Sequence, residues 1–373
     1  MVWKCEKCNK KWYHNIDICI NCGNKLTEIA HGKLLVKGVT KVNVPSIEHD
    51  QVPYYVLLLE DAEGNLHVQK TFKKHNLGQV IEENQKSSKE EGNAVIGIIG
   101  TGTMGRGLCQ LFIQKGYKVI LKSRDKKSLD NALKDIENSL LKIVNEDEKN
   151  RAIEKIKTTT DFSDLSDANL VIEASIEDMK TKKEIFKNLA RVCPENVVFA
   201  TNTSSLSINE LSNSVSDPSK FIGMHFFNPP QKMNLVEVVR SDSTSDETVE
   251  FVKKIAESLD KTAIVVTDSP GFIVNRVLMT TLNEAMYLLE SGIASPENID
   301  NAIKLGLNHP MGPLALADLI GLDVCLEIME TLYKKLNGQK YQPCPLLKEM
   351  VKNGFLGKKS GKGFYNYERP LDL

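Results

Sequence analysis

The stretch Val95-Ile96-Gly97-Ile98-Ile99-Gly100-Thr101-Gly102-Thr103-Met104-Gly105 decides the fold. Its apolar start reads as a buried strand, and its GxGxxG spacing runs into a helical segment at 106–115. Three glycines at this spacing are a weak signal alone; between a strand and a helix they become specific. Gly100 permits the tight turn, Gly102 lets the backbone approach a pyrophosphate, and Gly105 lets helix and strand pack closely. The helix N-terminus then turns free N–H groups toward phosphate. Gly100, Thr101, Gly102, Thr103, Met104 and Gly105 are therefore the expected dinucleotide-binding residues.

Outward from this loop, apolar runs alternate with helix-period segments. Strands are expected at 95–99, 118–121, 170–172, 197–200, 221–225 and 263–266, with helices at 128–144 and 180–192 between the earlier ones. Interleaving of this kind predicts a parallel, doubly wound α/β Rossmann domain over 93–268. After Asp268-Ser269-Pro270-Gly271 the strands stop. Val274, Val277, Leu278, Thr281, Leu282, Ala285, Leu288 and Leu289 recur at helical spacing, and Ser295-Pro296 is a helix start, so 269–373 reads as all-α.

Upstream, 84–92 is polar without an apolar residue and reads as a linker. Residues 29–83 form a small β module, with strands at 33–39, 54–60 and 66–72 and a hairpin turn at 61–65. Residues 1–28 carry Cys5, Cys8, Cys19 and Cys22 as two CxxC pairs, the spacing of a short zinc ribbon. Four thiolates select a structural zinc, whose binding would supply the folding energy that so small a segment lacks. The other four of the eight cysteines, Cys109, Cys193, Cys325 and Cys344, read as inert buried groups. The 373 residues, 41 % hydrophobic with net charge −1, suit a soluble enzyme with no polyanion-binding surface and no membrane span. Trp3, Lys4 and Cys5 open the chain without an apolar signal region, which predicts a cytoplasmic location with reduced thiols.

The second strand of the α/β domain should end beside the adenosine ribose. An Asp or Glu there accepts from the 2′-hydroxyl of NAD. Here Ser123 and Arg124 stand at that end, and a hydroxyl with a guanidinium suits a 2′-phosphate, favouring NADP(H) over NAD(H). Asp125 is the alternative: a register shift would bring it to the ribose, and otherwise it caps the next helix.

Four blocks follow: Asn202-Thr203-Ser204-Ser205-Leu206, Gly223-Met224-His225-Phe226-Phe227-Asn228-Pro229-Pro230, Leu235-Val236-Glu237-Val238-Val239, and Ser269-Pro270-Gly271-Phe272-Ile273-Val274-Asn275-Arg276. In this order and spacing they resemble the 3-hydroxyacyl-CoA dehydrogenases, including the 3-hydroxybutyryl-CoA dehydrogenases, over about 94–367. Glu173-Ala174-Ser175-Ile176-Glu177 with Lys182, and the C-terminal Gly357-Lys358-Lys359-Ser360-Gly361-Lys362-Gly363-Phe364-Tyr365, belong to the same resemblance.

Hydride exchange at a secondary alcohol needs a group to take or return the hydroxyl proton, and histidine is poised for this near neutral pH. His225 ends a strand before Asn228-Pro229-Pro230 and is the expected general acid–base. Glu237 lies in an apolar run, where a carboxylate is costly without a partner; as in the family, it is expected to orient His225. Ser204 and Asn275 are expected to donate to the reacting oxygen, or else to serve as turn or cap residues.

The resemblance implies that Glu177, Lys182, Asn228 and Lys359 hold the nicotinamide half, that Ser139 contacts the CoA of an acyl-CoA substrate, and that the chain forms a homodimer through its helical domain. After Lys142, acids stand where the family has lysines for the CoA phosphate, so another basic group or the N-terminal module would have to replace them. The implied reaction is reversible reduction of acetoacetyl-CoA-like 3-oxoacyl-CoA to the (S)-3-hydroxy thioester. A dehydrogenase of small 3-hydroxy acids and a non-catalytic scaffold of an acyl-CoA assembly remain the alternatives. The N-terminal segments resemble zinc-ribbon and OB-fold proteins that accompany thiolase-type enzymes, which favours an acyl-CoA enzyme partner over nucleic acid.

Overall fold

The computed structural model describes residues 94–367 throughout and, before them, 2–5, 7, 11–12, 22, 26–29, 33–42, 54–60, 66–71 and 75–82. Contacts divide the chain into Met1–Glu90 and Glu91–Leu373.

In the first unit, β1 (Val2–Cys5) pairs antiparallel with both β2 (Lys11–Trp12) and β3 (Leu26–Ile29). A second sheet joins β4 (Lys33–Val42), β5 (Tyr54–Glu60), β6 (Leu66–Thr71) and β7 (Val80–Glu82) in the order β6-β5-β4-β7. Leu34 and Val36 on β4 and Leu57 and Leu59 on β5 alternate inward and make its small core. Closure into an OB-like barrel would require strand pairs beyond these. Cys5 ends β1 and Cys22 lies in a turn. Cys8, Cys19, the turn at 61–65 and the linker at 84–92 lie outside the described residues, and no metal-ligating cluster forms among the described ones.

The second unit carries an eight-stranded sheet. Its strands are β8 (Val95–Ile99), β9 (Lys118–Lys122), β10 (Ile156–Thr159), β11 (Leu170–Glu173), β12 (Val198–Thr201), β13 (Phe221–Phe226), β14 (Leu235–Arg240) and β15 (Thr262–Thr267), in the order β10-β9-β8-β11-β12-β13-β14-β15. The expectation of an all-parallel sheet is corrected here: β13 and β14 pair antiparallel, and β15 runs with β14. The eight residues 227–234 between β13 and β14 are too few for a parallel crossover, which takes a dozen or more.

Helices α1 (Thr103–Gln114), α2 (Lys126–Leu140), α3 (Glu146–Ile153), α4 (Met179–Val192), α5 (Ile208–Ser212) and α6 (Asp246–Ser258) connect the strands. Strand side chains alternate between two cores. Ile96, Ile98, Met224, Val236 and Val238 pack with Phe112, Ile136 and Val252, while Ile99 and Val239 pack with Phe186, Leu189 and Ile208. A single helix over 128–144 is not what forms. Helix α2 ends at Leu140, and Asn145 caps α3 by accepting from the Glu148 N–H at 2.9 Å. Glu146, Asp147 and Glu148 then fill α3's first turn, where acids suit the positive end of the helix dipole.

The remainder is helical, as the amphipathic stripe predicts: α7 (Val274–Glu290), α8 (Pro296–Leu307), α9 (Pro313–Ile320), α10 (Leu322–Leu336) and α11 (Pro345–Lys352). Met279, Leu282 and Met286 of α7 meet Leu314, Met329, Leu332 and Leu347 in a separate core. Ser295 caps α8 and Pro296 fills its first position. Among the described residues, no helix is long and apolar enough to cross a membrane.

Candidate active site

The β13–β14 hairpin sets His225 directly opposite Glu237. Cross-strand partners on one face lie within reach of each other, so the register alone brings the two side chains together. The imidazole Nδ1 lies 2.7 Å from Glu237 Oε2, and both side chains are buried. Glu237 Oε1 accepts the N–H groups of Ile273 and Val274, each at 3.0 Å. Those belong to the start of α7, so the carboxylate also serves as a cap supplied from another element. Burial alone would push the Glu237 carboxyl up. The His225 hydrogen bond, the Val274 N–H, the His225 charge and the Ile273 N–H outweigh it and hold the carboxyl below its ordinary range. Phe227 and Phe272 flank the imidazole, with ring centroids 4.5 and 5.6 Å away. With Nδ1 committed to the carboxylate, Nε2 is the nitrogen left to exchange a proton with a reactant.

Beside the pair lies the turn after β12. Ser204 is half-buried, its N–H is bonded to Glu177 Oε1 at 2.8 Å, and its Oγ has no partner among the described residues. Asn275, in the first turn of α7, donates from Nδ2 to the Ser204 carbonyl at 3.3 Å. One N–H of that amide remains for a ligand.

The glycine loop has the geometry a dinucleotide needs. Gly100 has φ +116° and Gly105 lies against its carbonyl, so a Cβ at either position would clash with backbone. A Cβ on Gly102 would meet no protein atom within 4 Å, which leaves that face open to a ligand. No side chain caps α1, so its first N–H groups are free for phosphate. At the end of β9, Ser123 Oγ lies 3.3 Å from Thr101 Oγ1, while Arg124 is exposed, with no hydrogen bond or salt bridge among the described residues and its charge felt by the adjacent Asp125. Asp125 caps α2: its two oxygens accept the Ser128 N–H and Oγ at 2.8 Å each.

A cleft of about 170 Å³ beside α1 brings together Thr103, Ser139 and Asn228, all singled out from sequence, with Arg106, Asp135 and Gln110. Two expected residues are placed differently. Lys182 is 1 % exposed and bonded to both oxygens of Glu173 at 2.8 Å, so its ammonium bears on the site through Glu177, 3.6 Å away. Lys359 is held by Asp323 at the start of α10, and no hydrogen bond or ion pair joins it to the His225 group.

The sequence reading assigned no role to Glu173 or Arg106. The signal for Glu173 was available: it is a carboxylate ending the apolar run Leu170-Val171-Ile172-Glu173, as Glu237 is one inside an apolar run.

Two family models match the chain: the 3-hydroxyacyl-CoA dehydrogenase NAD binding domain over residues 95–269 and the 3-hydroxyacyl-CoA dehydrogenase C-terminal domain over 271–367. The chain belongs to the 3-hydroxyacyl-CoA dehydrogenase family. It is similar to a 3-hydroxybutyryl-CoA dehydrogenase of Clostridioides difficile, with 47 % identity over 279 residues, 74 % of this chain and 99 % of the relative. To the human mitochondrial hydroxyacyl-coenzyme A dehydrogenase it is 38 % identical over 283 residues, covering 73 % and 90 %. Among solved structures it resembles an (S)-3-hydroxybutyryl-CoA dehydrogenase of Ralstonia eutropha, with TM-score 0.73, 42 % identity, and coverage of 74 % of this chain and all of that one. Family membership makes the chain an oxidoreductase, and the NAD binding domain indicates a nicotinamide cofactor.

The depressed Glu237 carboxyl gives a stability test. A group whose folded pKa is lowered stabilises the fold above its unfolded value, about 4.3, and loses that contribution as pH falls through the folded value. Urea unfolding of wild type and Glu237→Gln should therefore show a gap that is full near about pH 6 and narrows on acidification. A gap independent of pH would contradict the ionised, paired carboxylate.

Proposed function

We propose that the chain catalyses reversible hydride transfer between NADP(H) and a short-chain 3-oxoacyl-CoA/(S)-3-hydroxyacyl-CoA pair. The observation that carries this reading is the buried His225–Glu237 pair, beside an open glycine loop, in a chain whose relatives include 3-hydroxybutyryl-CoA dehydrogenases. A nicotinamide bound at that loop supplies the hydride for reduction and receives it in oxidation. His225 does the proton work: Nε2 gives its proton to the carbonyl oxygen in reduction and takes the hydroxyl proton in oxidation. Glu237 keeps the other proton on Nδ1 and steadies the imidazolium as charge changes. Ser204 Oγ and the remaining Asn275 N–H donate to the oxygen where negative charge develops.

The CoA arm follows the cleft past Ser139, with Arg106 as the basic group standing in for the lysines missing after Lys142. Arg106 is paired with Asp135, which holds the guanidinium against the cleft wall. Asn228 also lines this cleft and would contact the nicotinamide half. For the cofactor, the exposed Arg124 and the adjacent Ser123 support a 2′-phosphate, and Asp125, spent as a cap, does not compete for the ribose.

A homodimer through the helical domain belongs to the same reading, supported by the apolar side chains Val277 and Leu305, 62 % and 84 % exposed. Cys5, Cys8, Cys19 and Cys22 would hold a structural zinc, their donor set being four thiolates, and the N-terminal module would dock an acyl-CoA enzyme partner rather than nucleic acid.

Oxidation of NADPH by acetoacetyl-CoA tests the reaction. Wild type should turn over, and His225→Ala should lose about 10²–10⁴-fold in kcat. The kcat/KM ratio for NADPH over NADH should exceed one and collapse in Arg124→Ala. An inactive wild type, or a wild-type preference for NADH, would overturn the respective part. Native mass spectrometry of the full chain reads the remainder: a dimer with one zinc per chain is expected, and a metal-free monomer would contradict both assignments.

A further inference from the structure

Glu177 was expected from family resemblance to touch the nicotinamide half, yet nearly all of its bonding is directed at one turn. Its Oε1 accepts from Thr203 Oγ1 at 2.5 Å, Ser204 N at 2.8 Å, Ser205 N at 2.9 Å and Ser205 Oγ at 3.1 Å. Four donors converge on one oxygen, which only an anionic acceptor accommodates well. Its Oε2 faces the Lys182 ammonium at 3.6 Å.

That ammonium is fixed in turn. Glu173, fully buried, accepts Lys182 on both oxygens, Thr201 Oγ1 at 2.7 Å, and the Ser175 N–H and Oγ at 2.7 and 2.6 Å. Glu173 ends β11 and Thr201 ends β12, so the network is rooted in two central strands. A buried ammonium with both a saturated partner and a second carboxylate nearby has little freedom to move. Ser204 is therefore gripped twice: its N–H by Glu177 and its carbonyl by Asn275, with Oγ left open between them.

We propose that Glu177 is a positioning residue that aims the Ser204 hydroxyl, and that Glu173 and Lys182 form the strut holding Glu177 in place. This rests on the function proposed above for Ser204. Loss of the grip lets the turn shift by a fraction of an ångström or more, which degrades hydrogen bonding in the transition state more than it weakens cofactor binding.

The test compares Glu177→Ala with Glu177→Gln in the full chain, using NADPH and acetoacetyl-CoA together with amide hydrogen exchange on the unliganded protein. The alanine variant should lose about tenfold to a hundredfold in kcat, with the KM for NADPH within about twofold of wild type. Glutamine keeps an acceptor oxygen but not the charge that four donors and the Lys182 ammonium favour, and should recover only part of that loss. Exchange at residues 203–206 should accelerate in the alanine variant and not elsewhere. A raised KM for NADPH with unchanged kcat and unchanged exchange would overturn the proposal and make Glu177 a cofactor contact. Because exchange is read without substrate, a loosened turn in a chain that never turns over acyl-CoA would refute the function and leave the positioning role standing.

Discussion

One buried carboxylate joins the parts of the catalytic unit. Glu237 gives one oxygen to the His225 imidazole and the other to the first N–H groups of α7, so a residue of the sheet fastens the helical part at its point of entry. The same three hydrogen bonds hold the Glu237 carboxyl below its ordinary range despite burial. An apolar residue there would strand the α7 N–H groups and free the imidazole to rotate, so folding and chemistry draw on one interaction.

A second constraint acts at the ends of the parallel strands. The backbone at the Gly100 turn is brought too close to its neighbours for any side chain, while Gly102 faces open space. Beside it, Glu173, Lys182 and Glu177 order the ends of β11 and β12 and the turn beyond them. One network makes room for a cofactor; the other fixes what surrounds it.

Much of this was legible in the sequence. The glycine loop, the change to an all-helical C-terminal part and the adjacency of His225 and Glu237 all follow from local pattern, because each depends on residues near one another along the chain. What local pattern did not show was long-range or a matter of competition. The reversal of β14 was written in the shortness of 227–234 but hidden by the apolar run, which looks the same in either direction. The acids after Lys142 read as a gap in a binding segment, whereas they are the first turn of a capped helix. Lys182 and Lys359 carry no signal in sequence that tells an ammonium facing a ligand from one held by Glu173 or Asp323. Such pairings are decided by three-dimensional neighbours.

Proton transfer at the site depends on which nitrogen of His225 carries the proton. Imidazole ¹⁵N NMR of the full chain, recorded on the neutral ring, reads this directly. Assignment against His225→Ala isolates the signal from the other six histidines of the seven. The proton is expected on Nδ1, donated to Glu237, with Nε2 bare; a ring protonated on Nε2 would contradict the account.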